Sequence, residues 1–397
     1  MIEETSVRAG YRRWSARGFI LAMTVALVLM SAPGRILGQE PSPPAPDPVQ
    51  PQPEQQNPDQ PQEPPKAEGA PQNPAETEAP AEVPRDERAE KQAESKVEAR
   101  PAVIWHQTVD MPALNLFYGA GGKEDAPIPG AKYKFKKEDT SGTNPKFDVE
   151  DDHGVKWKVK LGPEPRAETA STRLLFAAGY FVDEDYYIED LKVAGLPKLK
   201  RGSSYVSGEE TVHGARLERR MKEIKKLGNW SWFKNPFVGT KEFDGLRVMM
   251  ALVNNWDLKD VNNTIHQGEF QLEYAVTDVG ATFGKTGNTA KRSKSVLKDF
   301  EGSKFVDKKK GEYVDFVMHS RPLFITALDV PNYEKRTHMQ DVTKHIPRAH
   351  ARWLGQRLSQ LTPEQIRDCF RAGGYSQEEI EGYSRVIQKR IAELNAL

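Results

Sequence analysis

From residue 131 the chain reads AKYKFKKEDTSGTNPKFDVEDDHGVKWKVKLG, with apolar residues at every second position in three short runs. Tyr133 and Phe135 alternate with lysines, Phe147 and Val149 with acids, and Val155, Trp157 and Val159 with Lys156, Lys158 and Lys160. A period of two sets one strand face on a core and the other in water. TSGTNP and DDHG, between the runs, carry turn residues, so the three runs predict an antiparallel meander. The period then lengthens: RAETASTRLLFAAGY is rich in helix formers and stops at Gly179, which predicts a helix closed by a glycine. DYYIEDLKVAGL and EETVHGARLERR return to strand-like text.

Beyond them, EFDGLRVMMALVNNW places Phe243, Leu246, Met249, Met250 and Val253 at helical spacing, and EFQLEYAVTDVG is strand-like. Thr362 with Gln365, and Ser376 with Glu379, are capping-box pairs opening two helices near the end. The pattern predicts an α+β fold in two lobes. A mainly β lobe with one helix takes residues 102–228, and a mainly helical lobe takes residues 229–397. No internal repeat is visible.

The first hundred residues follow different rules. Arg12, Arg13 and Arg17 precede the apolar run FILAMTVALVLMSA, which is too short for a comfortable membrane span. Residues 1–38 therefore read as a secretory signal peptide, with an uncleaved N-terminal anchor as the alternative. Residues 39–101 are rich in Pro, Gln and Glu and have almost nothing apolar to bury, so they predict a disordered, extended tether. The expected location is extracytoplasmic, periplasmic or secreted, with membrane attachment only through the N-terminal segment. Lysine plus arginine balance aspartate plus glutamate at 57 each, which gives no bulk charge to attract nucleic acid. The single cysteine, Cys369, excludes an intramolecular disulfide and a cysteine-based zinc site.

Candidate chemistry concentrates where the helical pattern stops, in NNWDLKDVNN. Asp257, Lys259 and Asn262 have the spacing D-x-K-x-x-N. Such a loop can set a carboxylate beside a hydroxyl, an ammonium beside a phosphate and an amide oxygen on a metal. Downstream, TDVG puts Asp278 after a strand, a second hard oxygen ligand of the kind magnesium favours. The same residues also suit a polar turn that caps its neighbours, since helix-end Asn and Asp are ordinary turn formers.

The order of three strands, a lysine, a helix with a glutamate, further strands, a helix, D-x-K-x-x-N, a strand and D-x-G resembles the protein-kinase-like superfamily. DLKDVN looks like the kinase catalytic loop, and DVG stands where D-F-G is found. The short spacing from Lys160 to Glu168, and the lack of His-Arg before Asp257, are more similar to atypical branches such as HipA-type and secretory-pathway kinases. The resemblance implies that Asp257 orients or deprotonates the acceptor and that Lys259 neutralises the transferring phosphoryl group. It implies that Asn262 and Asp278 hold magnesium, and that Lys160, paired with Glu168, contacts the phosphates of ATP. Ser141, Gly142 and Thr143 would cover those phosphates, and Lys158 rivals Lys160. The chain departs from the pattern in having one glycine in that turn, valine in D-V-G and no A-P-E segment.

The expectation is thus a kinase-like protein that binds ATP and magnesium and phosphorylates a protein or small-molecule acceptor. Two other classes compete: a non-catalytic kinase-like scaffold or binding module, and a metal-dependent hydrolase using Asp257, Asp260 and Asp278. The aromatic NWSWFKNPF reads as packing rather than a ligand platform, His345 and His350 as surface or capping histidines, and KRSKS and DKKKG as solvated loop faces.

Overall fold

The structure, a computed structural model, describes residues 100–108, 110–208, 210–220, 224–322 and 339–397. The leader at residues 1–38 and the tether up to residue 99 lie outside the described residues. Among the described residues, no helix is long and apolar enough to cross a membrane.

The predicted meander is present as β2 (Tyr133–Asp139), β3 (Lys146–Asp151) and β4 (Lys156–Lys160), following a short β1 (Ala102–Val103). The predicted helix is α1 (Pro165–Ala178). It starts with proline at its first position, where a missing N–H costs nothing. It ends at Gly179 (φ 99°), where a side chain would collide with the His106 carbonyl and the Trp105 ring. Next come β5 (Asp185–Ala194), β6 (Val206–Ser207) and β7 (Thr211–Arg219). These strands form a six-stranded sheet, β4-β3-β2-β5-β7-β6, in which β4 also pairs with β7 so that the sheet closes on itself. Alternate residues, including Phe147, Val149, Trp157, Val159, Val212 and Leu217, fill its core.

The remaining elements are β8 (Lys225–Gly228), α2 (Lys241–Leu252), β9 (Asn263–Gln267), β10 (Leu272–Val276), α3 (Leu297–Glu301), β11 (Val306–Lys310), β12 (Tyr313–Phe316), β13 (Ile346–Pro347), α4 (Arg348–Leu358), α5 (Pro363–Ala372) and α6 (Gln377–Asn395). Both capping boxes are present, on Thr362 and Ser376, with their reciprocal side-chain bonds. The second half is less helical than its sequence predicts. It contains a sheet of order β1-β10-β9-β8 and a smaller one of order β11-β12-β13. The lysines of DKKKG lie on the outer side of β11 rather than in a loop. The strand β1 pairs with β10, and α1 joins the second hydrophobic core through Ala167, Ala170, Leu174 and Leu175. That core also takes Phe243, Leu246, Met249 and Met250 from α2, as the helical spacing predicts.

Trp230 and Trp232 are buried edge-on to one another at 4.9 Å, and Trp230 also meets Phe243, so NWSW is packing. His350 bonds Asp244 at 2.7 Å, and His345 stacks on Tyr313. Arg390, fully buried on α6, donates at 2.7 Å to the Leu252 carbonyl and to Asn254 Oδ1, closing the end of α2. Asn254, in the left-handed region at φ 56°, donates in turn to the Gly284 carbonyl. The start of the candidate loop is therefore fixed before any chemistry is considered.

Candidate functional site

Strand alternation decides which lysine enters the interior. On β4, Trp157 and Val159 point into the sheet core, so Lys158 and Lys160 share the opposite face. Lys158 is bound to Asp139 on β2, at 2.8 Å. Lys160, the last residue of the strand, is only 6 % exposed. Its ammonium lies 2.8 Å from Glu168, 3.1 Å from Glu164 and 2.5 Å from Asp278. Burial alone would push its pKa down, but the three carboxylates outweigh it and hold the lysine charged. Lys160 is therefore not a solvated strand lysine.

Glu168 sits in the first turn of α1, on its buried side. One carboxylate oxygen holds Lys160; the other faces Arg216 of β7 at 3.3 Å. Arg216 also reaches Asp185 at 3.3 Å and Glu218 at 2.9 Å, and Arg173 pairs with Asp185 at 2.9 Å. Burial drives Glu168 up to about 7 despite Arg216 and Lys160. At Asp278, burial works in the same direction but Lys160 wins, and the carboxyl titrates below its ordinary value.

Glu164, which the sequence reading did not single out, is the hub of the cluster. It is the residue preceding α1 and is buried. It accepts from Lys160 and from Asn144 Nδ2 through Oε2, and from Lys294 through Oε1 at 2.5 Å. Gly280 lets it approach: a Cβ there would stand 2.6 Å from that of Glu164. The glycine of D-V-G thus serves close packing, while the left-handed backbone falls on Asp278 (φ 52°) and Phe283 (φ 52°). The only sequence signal for Glu164 was its place four residues after Lys160, across the turn at Gly162 and Pro163. KRSKS is not merely a solvated face, since it carries Lys294 into this cluster.

The D-x-K-x-x-N loop lies against the chain that carries Asp278. Trp256 N–H donates to the Ala281 carbonyl at 3.3 Å, and Thr277 donates from its N–H and hydroxyl to the Asn262 carbonyl at 2.8 and 3.0 Å. Within the loop, Asn262 Nδ2 donates to the Asp257 carbonyl at 2.9 Å, which leaves its amide oxygen for another partner. Asn255 Oδ1 accepts the Asp257 N–H. Lys259, 56 % exposed, reaches both Asp257 oxygens at 2.7 and 2.9 Å. Asp260 spends one oxygen on the Trp232 N–H. The acids that converge are Glu164, Glu168 and Asp278, with oxygens within 4.8 Å of one another, and not Asp257, Asp260 and Asp278.

Ser141, Gly142 and Thr143 form an exposed turn whose carbonyls are gathered by Arg201, at 2.6 Å for Gly142 and 3.1 Å for Ser141. The residue that ties this turn to the cluster is the next one, Asn144, through Glu164.

No protein-family model and no curated protein matches the chain. Among solved structures it is similar to a Helicobacter pylori proinflammatory kinase, CtkA, at 10 % identity and a TM-score of 0.37, covering 66 % of this chain and 96 % of that one. It is also similar to a Golgi casein kinase solved with Mn/ADP bound, at 10 % identity and a TM-score of 0.27, covering 67 % and 74 %. The structure thus binds the strand lysine to the helix glutamate, as the resemblance to kinases implied, and also to the aspartate of D-V-G, with the D-x-K-x-x-N loop packed alongside.

Proposed function

We propose that this chain is an atypical kinase that binds ATP with a divalent cation and transfers the terminal phosphoryl group to a hydroxyl acceptor. The carrying observation is the convergence of Lys160, Glu168 and Asp278 within 2.8 Å contacts, alongside a loop that presents Asp257 and Asn262. Lys160, fixed by Glu168, holds the inner phosphates. Asp257 accepts the proton as the acceptor oxygen attacks the terminal phosphorus and the bond to the leaving diphosphate breaks. Lys259, beside Asp257, offsets charge on the transferring group. Most of the acceleration comes from positioning and charge placement.

For a hard divalent cation, Asp278 and Asn262 would offer a carboxylate and an amide oxygen, while Glu164 and Glu168 are engaged by Lys160. Such an ion would neutralise the charge of the phosphates. A cavity of about 410 Å³ beside β7 suits the base. Its lining includes His106, Phe181, Asp183, Glu218 and His266, and Glu218 connects it to Glu168 through Arg216. His266 is buried with Nε2 unpartnered, and burial lowers its pKa to about 4; Asp183 is raised to about 8 by burial and then by Glu218. Burial thus favours the neutral form of both, with Glu184, Arg219, Arg220, Lys226 and Glu273 adding charged groups to the lining. The basic and apolar leader, followed by a proline-rich stretch, adds export to this reading; recovery of the chain from the cytoplasm in fractionated cells would remove that part.

The test is thermal unfolding with ATP, with and without magnesium or manganese. A ligand of the native state at about 100 times its Kd adds about 2.7 kcal/mol. The melting temperature should rise with ATP and metal in the wild type and much less in Lys160→Met and Asp278→Asn. An unmoved wild-type temperature at saturating ATP with either metal sinks the proposal.

A further inference from the structure

The chain after Asp278 is a pedestal for one side chain. Ser295 N–H donates to the Thr282 carbonyl and Val296 N–H to the Phe283 carbonyl, both at 2.9 Å. Lys285 N–H donates to Ser293 Oγ at 2.9 Å, and Trp256 Nε1 to the Ser293 carbonyl at 3.2 Å. Gly284 and Ser293 run so close that a Cβ on Gly284 would lie 2.1 Å from the Ser293 carbonyl oxygen. The backbone on either side of Lys294 is therefore pinned, while its half-buried side chain reaches away to the residue preceding α1. Its ammonium is 2.5 Å from Glu164, which holds Lys160, and 5.5 Å from the centre of the Trp256 ring, which immediately precedes Asp257. Lys294 thus stands between the group that binds Asp278 and the loop that carries Asp257. In the reading above, the terminal phosphate lies between Lys160 and Asp257, within the span of this side chain.

Glu164 has more donors than charge. Its single carboxylate serves Lys160, Lys294 and Asn144 together. A terminal phosphate brings more negative charge and more acceptor oxygens than a shared carboxylate, and a lysine is a compact charge on a flexible stem. We propose that Lys294 is a second phosphate-gripping lysine, held on Glu164 until a nucleoside triphosphate arrives and then transferred to its terminal phosphate. This rests on the nucleotide reading and adds to it a residue outside the D-x-K-x-x-N and D-V-G motifs.

The consequence is selective for the number of phosphates. ATP and ADP binding, each with magnesium, are measured by titration calorimetry for the wild type and for Lys294→Met, Lys294→Gln and Lys294→Arg. A charge-assisted contact to a phosphate predicts that either neutral substitution weakens ATP binding roughly 10- to 100-fold, with ADP changed about twofold or less. Lys294→Arg should recover most of the ATP affinity. Lys285→Met, in the same segment, should leave both ligands unaffected. If wild type binds ATP and the ATP-to-ADP ratio stays the same in both neutral variants, the Lys294 role is wrong and the nucleotide reading stands. If wild type binds neither nucleotide, both fall together.

Discussion

Two ion clusters in this molecule are built from the same residue types and behave in opposite ways. Around Lys160 and Arg216, five carboxylates and two cations meet, all but Asp278 largely out of water, and each cation touches three acids. At the D-x-K-x-x-N loop, Asp257 and Lys259 pair with each other at 2.7 Å in partial contact with solvent. Removing ions from water is costly, and only mutual satisfaction offsets it. The first cluster is therefore tied to the stability of the chain. The second is worth little to folding, because an exposed pair is screened and its side chains lose entropy in holding one geometry. Its residues are free to be chosen for chemistry.

Breaking the buried cluster gives the largest expected effect. Arg216→Ala leaves Glu168, Asp185 and Glu218 without their shared cation, and should cost about 3–5 kcal/mol of unfolding free energy. Denaturant titration measures it, and a loss below about 1 kcal/mol would mean the network is already compensated by water. The exposed pair predicts the converse. Asp257→Asn should lower the proposed phosphotransfer by roughly 10²- to 10⁴-fold, the range for losing a general base, while stability stays within about 0.5 kcal/mol. A variant that loses stability in proportion to activity would place Asp257 with the first cluster.

The smallest effect sharpens the contrast through pH. Burial raises Glu168 to about 7, so between its unfolded value and that pH the native state holds a proton that the unfolded chain has released. This contribution makes stability fall as pH rises through that window, by at most about 1.4 kcal/mol per pH unit. Asp278, whose folded value is lowered by Lys160, acts the other way and loses its contribution as pH falls. The difference between wild type and Glu168→Gln isolates the first. Parallel stability curves from pH 5 to 7 would show that Glu168 is already ionised throughout.

The same contrast explains what the sequence could disclose. The D-x-K-x-x-N loop is contiguous, so its residues are visible as text. Lys160 and Glu168 were reachable because strand alternation and the start of a helix put each on a definite face. The meander, α1 and the two capped helices carry strong local periods and were legible for that reason. Arg216 and Lys294 were not, because nothing local marks them, and Glu164 had only its four-residue spacing from Lys160; all three matter only once β4, β7, α1 and the chain after Asp278 meet. The strands β8 and β11 were missed because Lys225–Gly228 and Val306–Lys310 are mostly solvent-facing and show no alternation. Pairing partners, not side-chain pattern, hold them.

Because β4 is paired on one side with β3 and on the other with β7, neither edge of the strand bearing Lys160 is free. Sliding that strand by even one residue would mean breaking two ladders and turning Trp157 and Val159 outward. Lys160 is therefore a fixed reference point along its strand axis, and the partners that meet it, Asp278 and Glu164, are set against an anchored ammonium.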